Sequence, residues 1–454
     1  MNQPRAVCRR QFLARAAAAP LFVRATALGY GAPPPASGRV RMGLVGCGIH
    51  GGGWNLDQMF ADPRQQVVAV CDDRTHHAAA AAERVDRHYS TMLGRSYRCD
   101  VYRDFRDLVN RRDLDAVDVA TPDHWHAAIA IMALRAGKHV ICEKPLSLTV
   151  REGRLMADEA KRSGLAFQTA MESRSIDTHI RLAELVRGGF IGELKHVKVL
   201  LERGNAGRGN EEFTEQPPPP HLDYDMWQGQ APEAPYCPAR VHNTYRWNLA
   251  YSGGRLTDWG AHLIDLAQWA SGRQLSGPVA VEGTGVFPPR DAVWNTATDF
   301  DLHYRYADGL TMHVWGEVPG IKFEGTEGWI MFRGWRQPLR ASDPKILDAT
   351  IPPEKRLHRP RTIIPRTAET VGGEHLDFVD CILNGGEPYA PAEVGHRTAT
   401  VAHLGNIPMR LGRPLAWDPQ REVFPAEPEA NILLERPQRE PWSLARIDSW
   451  INVG

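Results

Sequence analysis

The sequence predicts an α/β protein with two sheets: a doubly wound parallel sheet first, then an α/β domain on a large, open, mainly antiparallel sheet. Three observations lead there. Short apolar runs alternate with helical ones between residues 40 and 165. A glycine cluster, Gly46 to Gly51, ends the first of these runs. After residue 279, apolar and polar residues alternate with period 2, as in strands that bury one face.

Residues 41–45 read as a strand that stops at glycines. Gln65–Cys71 (QQVVAVC), residues 115–120 (DAVDVA) and His139–Cys142 read as three more buried strands. Between them, residues 75–89, 102–110, 126–136 and Val150–Ser163 carry helical patterns. Such alternation implies right-handed βαβ units and therefore a parallel sheet. Residues 166–170 read as one more strand and 180–188 as a helix. Residues 196–202 (HVKVLLE) alternate like a half-exposed strand. Residues 205–243, with four prolines at 217–220, are mainly loop, and a helix follows through Ala270. Strands are expected at 279–286, 298–306, 310–317 and 328–332. Helices are expected at 375–383 and 394–411, with Pro408 a candidate kink. The Pro-rich tail from Trp417 reads as a surface wrap. The expected divisions are 1–38, 39–165 and 166–454.

The chain of 454 residues is 43% hydrophobic and 24% charged, the balance of a globular protein. Lys plus Arg and Asp plus Glu each count 54, so no positive field marks a nucleic-acid surface. A small molecule is the expected partner. No run is apolar for ~18 residues, so no membrane span is expected. The seven cysteines are scattered, and no CxxC or Cys/His cluster has zinc spacing, so no metal is expected. Near the start, Arg9-Arg10-Gln11-Phe12-Leu13 precedes an alanine-rich stretch and a Gly/Pro segment. This resembles a twin-arginine export signal, although Arg15 and Arg24 interrupt its apolar part. Export to the periplasm is expected; a basic leader on a cytoplasmic protein is the alternative.

Four motifs carry chemistry. Gly46, Gly48 and Gly51 fit G-x-G-x-x-G directly after a strand. The first glycine permits the turn, the second lets backbone approach a pyrophosphate, and the third lets helix pack on strand. Ile49 and His50 lie within that turn, at a helix start whose free N–H groups suit phosphates. Asp72 follows at about 20 residues, where a carboxylate accepts from ribose hydroxyls and repels a 2′-phosphate. That favours NAD over NADP, with Arg74 nearby as a counterweight. Thr121-Pro122-Asp123-His124-Trp125-His126 follows the third strand, where Thr121, Pro122 and His126 would line the cofactor and Asp123 would cap a helix. Glu143-Lys144-Pro145 follows the fourth strand. There Glu143 and Lys144 would sit beside the nicotinamide, and the ammonium could hold a substrate hydroxyl. In Asp258-Trp-Gly-Ala-His262, aspartate and histidine are four apart and share one helix face. An imidazole there can take a proton while a carboxylate orients ring or substrate.

Together these residues resemble the Gfo/Idh/MocA family of oxidoreductases. Gly46, Gly48 and Gly51 match its fingerprint, Glu143-Lys144-Pro145 its signature tripeptide, and Asp258 and His262 its Asp-x-x-x-His pair. The resemblance implies a Rossmann domain bound to NAD, a substrate domain with an open sheet, and a homo-oligomer, dimer or tetramer. It implies His262 as acid/base with Lys144 and Asp258 as partners, and a carbohydrate, glycoside or polyol as substrate. Residues 222–247 look like the sugar-facing loop of an exported branch. Tyr236 and Trp247 would offer flat faces, and Arg246, like Arg174 upstream, would offer donors. Transfer of hydride from a sugar or polyol hydroxyl is the expected reaction. A redox-neutral glycosidase acting through a transient 3-keto sugar is the alternative.

Overall fold

Six strands form a parallel sheet in the order β3-β2-β1-β4-β5-β6. They are β1 (Val40–Val45), β2 (Gln65–Cys71), β3 (Asp100–Tyr102), β4 (Ala116–Val119), β5 (His139–Cys142) and β6 (Phe167–Thr169). The computed structural model describes residues 38–205, 207, 212–357 and 373–452. The leader with Arg9 and Arg10 lies outside them. Strand order reverses between β1 and β4, and the carboxyl ends there open the crevice that such sheets offer to ligands. β4 is buried at every position, as a strand covered on both faces must be.

Several boundaries differ from those expected, two of them at the parallel sheet. Residues 102–110 end one strand and begin a helix only at Phe105, because the Asp104 side chain caps it by accepting from the Arg106 N–H. β6 pairs with β5, so the parallel sheet runs past residue 165.

The second sheet has eight strands in the order β13-β12-β11-β7-β10-β9-β8-β14. They are β7 (Leu194–Leu201), β8 (Ala280–Val286), β9 (Asp299–Arg305), β10 (Thr311–Gly316), β11 (Gly320–Gly325), β12 (Trp329–Arg333), β13 (Arg340–Ala341) and β14 (Leu415–Ala416). β7 and β10 run parallel and the other pairings are antiparallel, which makes the sheet mixed. β11 was not expected, because glycines at both ends of GIKFEG hide its alternation; Ile321 and Phe323 nonetheless point inward. Inward residues of β9 to β12, including Leu302, Tyr304, Val314 and Phe332, share one core with helix Gly260–Ala270 and helix Ala392–Leu411. The latter helix passes through Pro408 and ends three residues later.

The tail does more than wrap the surface. β14 extends the second sheet beside β8. Trp442 and Trp450 bury against the parallel-sheet domain, edge-on to Trp125 at 5.6 Å and to Phe105 at 5.9 Å. Large aromatic faces removed from water on both sides clamp the two together.

Arg174 is a correction. It faces no substrate but lies 2% exposed in the core. Its Nε and Nη2 donate to Asp265 at 2.9 and 2.8 Å, and its Nη1 to the Tyr389 carbonyl at 2.8 Å. Every arm of the guanidinium serves packing. Removing it leaves Asp265 as an uncompensated buried charge. Arg174→Ala should therefore cost about 3–5 kcal/mol in urea unfolding. A loss below about 1 kcal/mol, the scale of a surface pair, would contradict this account.

Candidate active site

The first glycine turn is built by close approach. Gly46 has φ +94°, and a Cβ on it would meet the Ala120 carbonyl at 2.5 Å. A Cβ on Gly51 would lie 1.9 Å from the Gly46 oxygen, whereas Gly48 faces open space. Packing thus demands two of the glycines, and the third leaves room for a phosphate. His50–Asn55 then winds as a π-helical turn before helix Leu56–Ala61 begins.

This turn opens into a cavity of about 440 Å³ along the carboxyl ends of β1, β2, β4 and β5. Gly48, Ile49, His50, Asp72, Thr121, Pro122, Glu143 and Lys144 line it, as does Gly46. Asp72 stands at the end of β2 and accepts from the Cys47 and Arg74 N–H groups at 2.7 and 2.8 Å. Those bonds fix the carboxylate at the cavity end beside β2. Ile49 is 78% exposed, an apolar surface that a bound dinucleotide would cover. These features fit NAD.

Gly51 and His126 were expected at the cofactor but lie behind it. Gly51 packs on Gly46. His126 is buried, with Nδ1 at 2.9 Å from the Pro145 carbonyl and Nε2 at 2.8 Å from the Thr121 carbonyl. It brackets two cavity loops and does not line the cavity itself. Pro122, not Asp123, is the residue before the helix Asp123–Arg135. Asp123 accepts from the Tyr245 hydroxyl at 2.9 Å.

The loop expected to face sugar is docked mainly over the cofactor cavity. The Trp227 carbonyl lies 2.8 Å from His124 Nε2, and the Met226 carbonyl accepts from Trp125 Nε1 at 3.0 Å. Met226 and Trp227 line the cavity. Tyr236 is a correction: it packs edge-on to Tyr224 in a small core with Trp227 and Tyr251, and lines neither this cavity nor the next. Its apolar ring stabilises the loop.

A second cavity of about 340 Å³ adjoins the first. His50, Glu143, Lys144, Arg246 and Asp258 line both. Lys144 Nζ lies 2.8 Å from Asp258 Oδ1. The other Asp258 oxygen lies 3.3 Å from Arg246 and 3.7 Å from Arg255. Burial alone would raise the Asp258 carboxyl, but Lys144 and Arg246 outweigh it and hold it below the usual carboxylate range. Glu143 is held the same way at about 2: burial opposes, and His50, at 3.1 Å, and Lys144 prevail. Behind it, Asn55 links Glu143 to Asp118, which His375 meets at 3.0 Å. These contacts satisfy a carboxylate in the middle of buried β4.

His262 lines the second cavity, 8% exposed, and its Nδ1 has no partner. Burial first and Lys144 second push it well below its ordinary value, so the ring stays neutral. Asp258 does not hold the ring, as the four-residue spacing suggested. The helix breaks between them at Trp259, and Asp258 turns to the cations. Trp259 and Trp335 flank the imidazole at 5.7 and 5.1 Å instead.

Trp247 lines the same cavity with Arg255 stacked over it at 5.1 Å. Trp54, Trp335, Glu172 and Glu374 also line it, and the sequence reading missed all four. Trp54 was findable, since it directly follows the glycine turn. Trp335 and Glu374 carry no local signal.

Comparison with known proteins agrees with this layout. Residues 40–171 match the model for an oxidoreductase family's NAD-binding Rossmann fold, and residues 182–444 match that family's C-terminal alpha/beta domain. A levoglucosan dehydrogenase of Pseudarthrobacter phenanthrenivorans is 29% identical over 243 residues, 51% of either chain. An alpha-N-acetylgalactosaminidase of Shewanella oneidensis is 32% identical over 185 residues, 36% of this chain and 38% of that one. The chain thus spans about half, or less, of the length of these curated relatives. Among solved structures, the WlbA dehydrogenase from Bordetella pertussis, in complex with NADH and UDP-GlcNAcA, aligns with a TM-score of 0.61 at 18% identity. The alignment covers 85% of this chain and 99% of that one, a shared fold.

The glycine packing makes a direct prediction. In Gly51→Ala the new methyl collides with the Gly46 carbonyl, and overpacking of about 1–3 kcal/mol should weaken NAD binding roughly tenfold. Calorimetric titration with NAD, alongside a circular dichroism spectrum matching the parent, checks this. Unchanged affinity would refute the packing argument.

Proposed function

Because the chain belongs to the Gfo/Idh/MocA oxidoreductase family, we propose that it moves hydride between a carbohydrate or polyol hydroxyl and NAD. One observation carries this reading. The cofactor cavity and the second cavity meet at Lys144 and Asp258, with a neutral His262 beside them. A substrate hydroxyl there reaches a base and a cation at once.

NAD, when bound, supplies the hydride acceptor. His262 takes the hydroxyl proton; a buried neutral imidazole is ready for it without first losing one. Lys144 steadies the oxygen as negative charge grows on it, at a site where little water competes. Asp258 holds the Lys144 ammonium in place. Trp54, Trp247, Trp259 and Trp335 give the chamber the flat apolar faces that suit sugar C–H groups.

A second reading has its own support. Glu374 is buried in the same chamber, and burial raises its carboxyl above the usual range. A carboxyl whose burial favours the protonated form could deliver a proton to a departing glycosidic oxygen. In that reaction hydride would pass from C3 to NAD, a base would take the acidified C2 proton, and the aglycone would leave C1 with the proton from Glu374. Water would then add its hydroxyl to C1 and return a proton to Glu374, the base would return the C2 proton, and the hydride would return to C3. The similarity to a named alpha-N-acetylgalactosaminidase supports it.

Incubation with a panel of sugars, polyols and aryl glycosides separates the two. Lasting NADH absorbance supports net oxidation; phenol release without NADH supports the glycosidase. Neither signal from any compound would sink both.

Lys144→Met and His262→Ala should each lower kcat by roughly 10²–10⁴-fold while NAD titration stays near the parent value. The pH profile has a defined sign. His262 is lowered from 6.5, and its neutral form is the active one. Its kcat should therefore hold as pH falls through 6.5 and drop only further into acid. An acid limb centred at 6.5 or above would count against His262.

A further inference from the structure

His303 on β9 and His313 on β10 stand directly opposite each other in antiparallel register. Their rings stack with centroids 4.2 Å apart and planes 11° from parallel. Trp315 also stacks on His313, at 4.3 Å. Asp301 lies two residues before His303 and so on the same sheet face. Its Oδ1 is 3.1 Å from His303 Nε2 and 2.9 Å from His313 Nε2. Two imidazole nitrogens and a carboxylate oxygen thus converge within 4.8 Å of one another. None of the three residues lines either cavity.

We propose that Asp301, His303 and His313 form a binding site for a divalent transition ion of the zinc type. Two nitrogens and one oxygen are ligands such an ion takes at about 2.0–2.2 Å, and imidazoles select it over magnesium or calcium. The stacking holds the rings before any ion arrives, so little order is lost on binding. Access is open, since the side chains of His303 and Asp301 are 54% and 57% exposed. Glu282 on β8 stands opposite His303 and is exposed. It is one strand spacing away, about 4.8 Å, and can swing in as a fourth ligand. Lys198, opposite His313 on β7, does not compete because its ammonium is held 2.9 Å from Glu324. The spacing rules that excluded zinc from the sequence miss this group, because it is assembled across two strands.

The test uses the full chain, stripped with a chelator and titrated calorimetrically with zinc chloride, then with magnesium chloride. One saturable equivalent of zinc is expected, and no magnesium. Asp301→Asn and His303→Gln should each weaken zinc binding roughly tenfold or more. Both side chains are exposed, so thermal midpoints without metal should match the parent, as should sugar turnover. Absence of saturable zinc uptake would overturn the proposal. So would uptake undiminished in the double variant, or magnesium bound as tightly.

Discussion

The ion pair between Lys144 and Asp258 joins the carboxyl edge of the parallel sheet to the helical segment that covers the mixed one. Both partners are nearly enclosed, with 15% and 11% of their side chains exposed. A pair so buried adds little net stability over an apolar one, because desolvation offsets attraction. Its effect is on position and charge. It holds an ammonium at the junction of two cavities, and that ammonium helps keep the adjacent imidazole neutral. Arg246 and Arg255 then balance the remaining aspartate oxygen.

The rest of the site is arranged around that junction by groups that do no chemistry. His126 ties the Thr121 loop to the Pro145 loop. Asn55, Asp118 and His375 form a buried polar chain beneath Glu143. Asn55 Oδ1 and His375 Nδ1 find no partner in it, so the chain holds its geometry through the bonds to Asp118 and Glu143 alone, and breaking one strands the next group in low dielectric. The long loop after β7 closes the far end, with Met226 and Trp227 over the dinucleotide cavity. Arg246 and Trp247, further along, line the second cavity.

Local patterns carried much of this. Period-2 alternation revealed β8, β9, β10 and β12, because side-chain direction in a strand depends only on sequence parity. The glycine spacing and Asp72 marked one wall of the first cavity, because a turn between strand and helix is itself a local object. Glu143, Lys144, Asp258 and His262 were legible for the same reason: each closes or opens an element. β11 escaped because glycines at both ends blur its alternation. Arg174 misled because an arginine near the site has the same sequence whether it meets a sugar or Asp265.

The sequence by itself thus determined the α/β class, the parallel NAD-binding domain and the candidate residues that the fold gathers where the two cavities meet. Tertiary structure alone decided their partners: Asp258 with Lys144 instead of His262, Trp335 beside the imidazole, Glu374 in the chamber, and His303 facing His313. The physical reason is distance along the chain. Backbone phase and turn chemistry act over a few residues, whereas burial and charge pairing depend on which distant segments the packed core brings together.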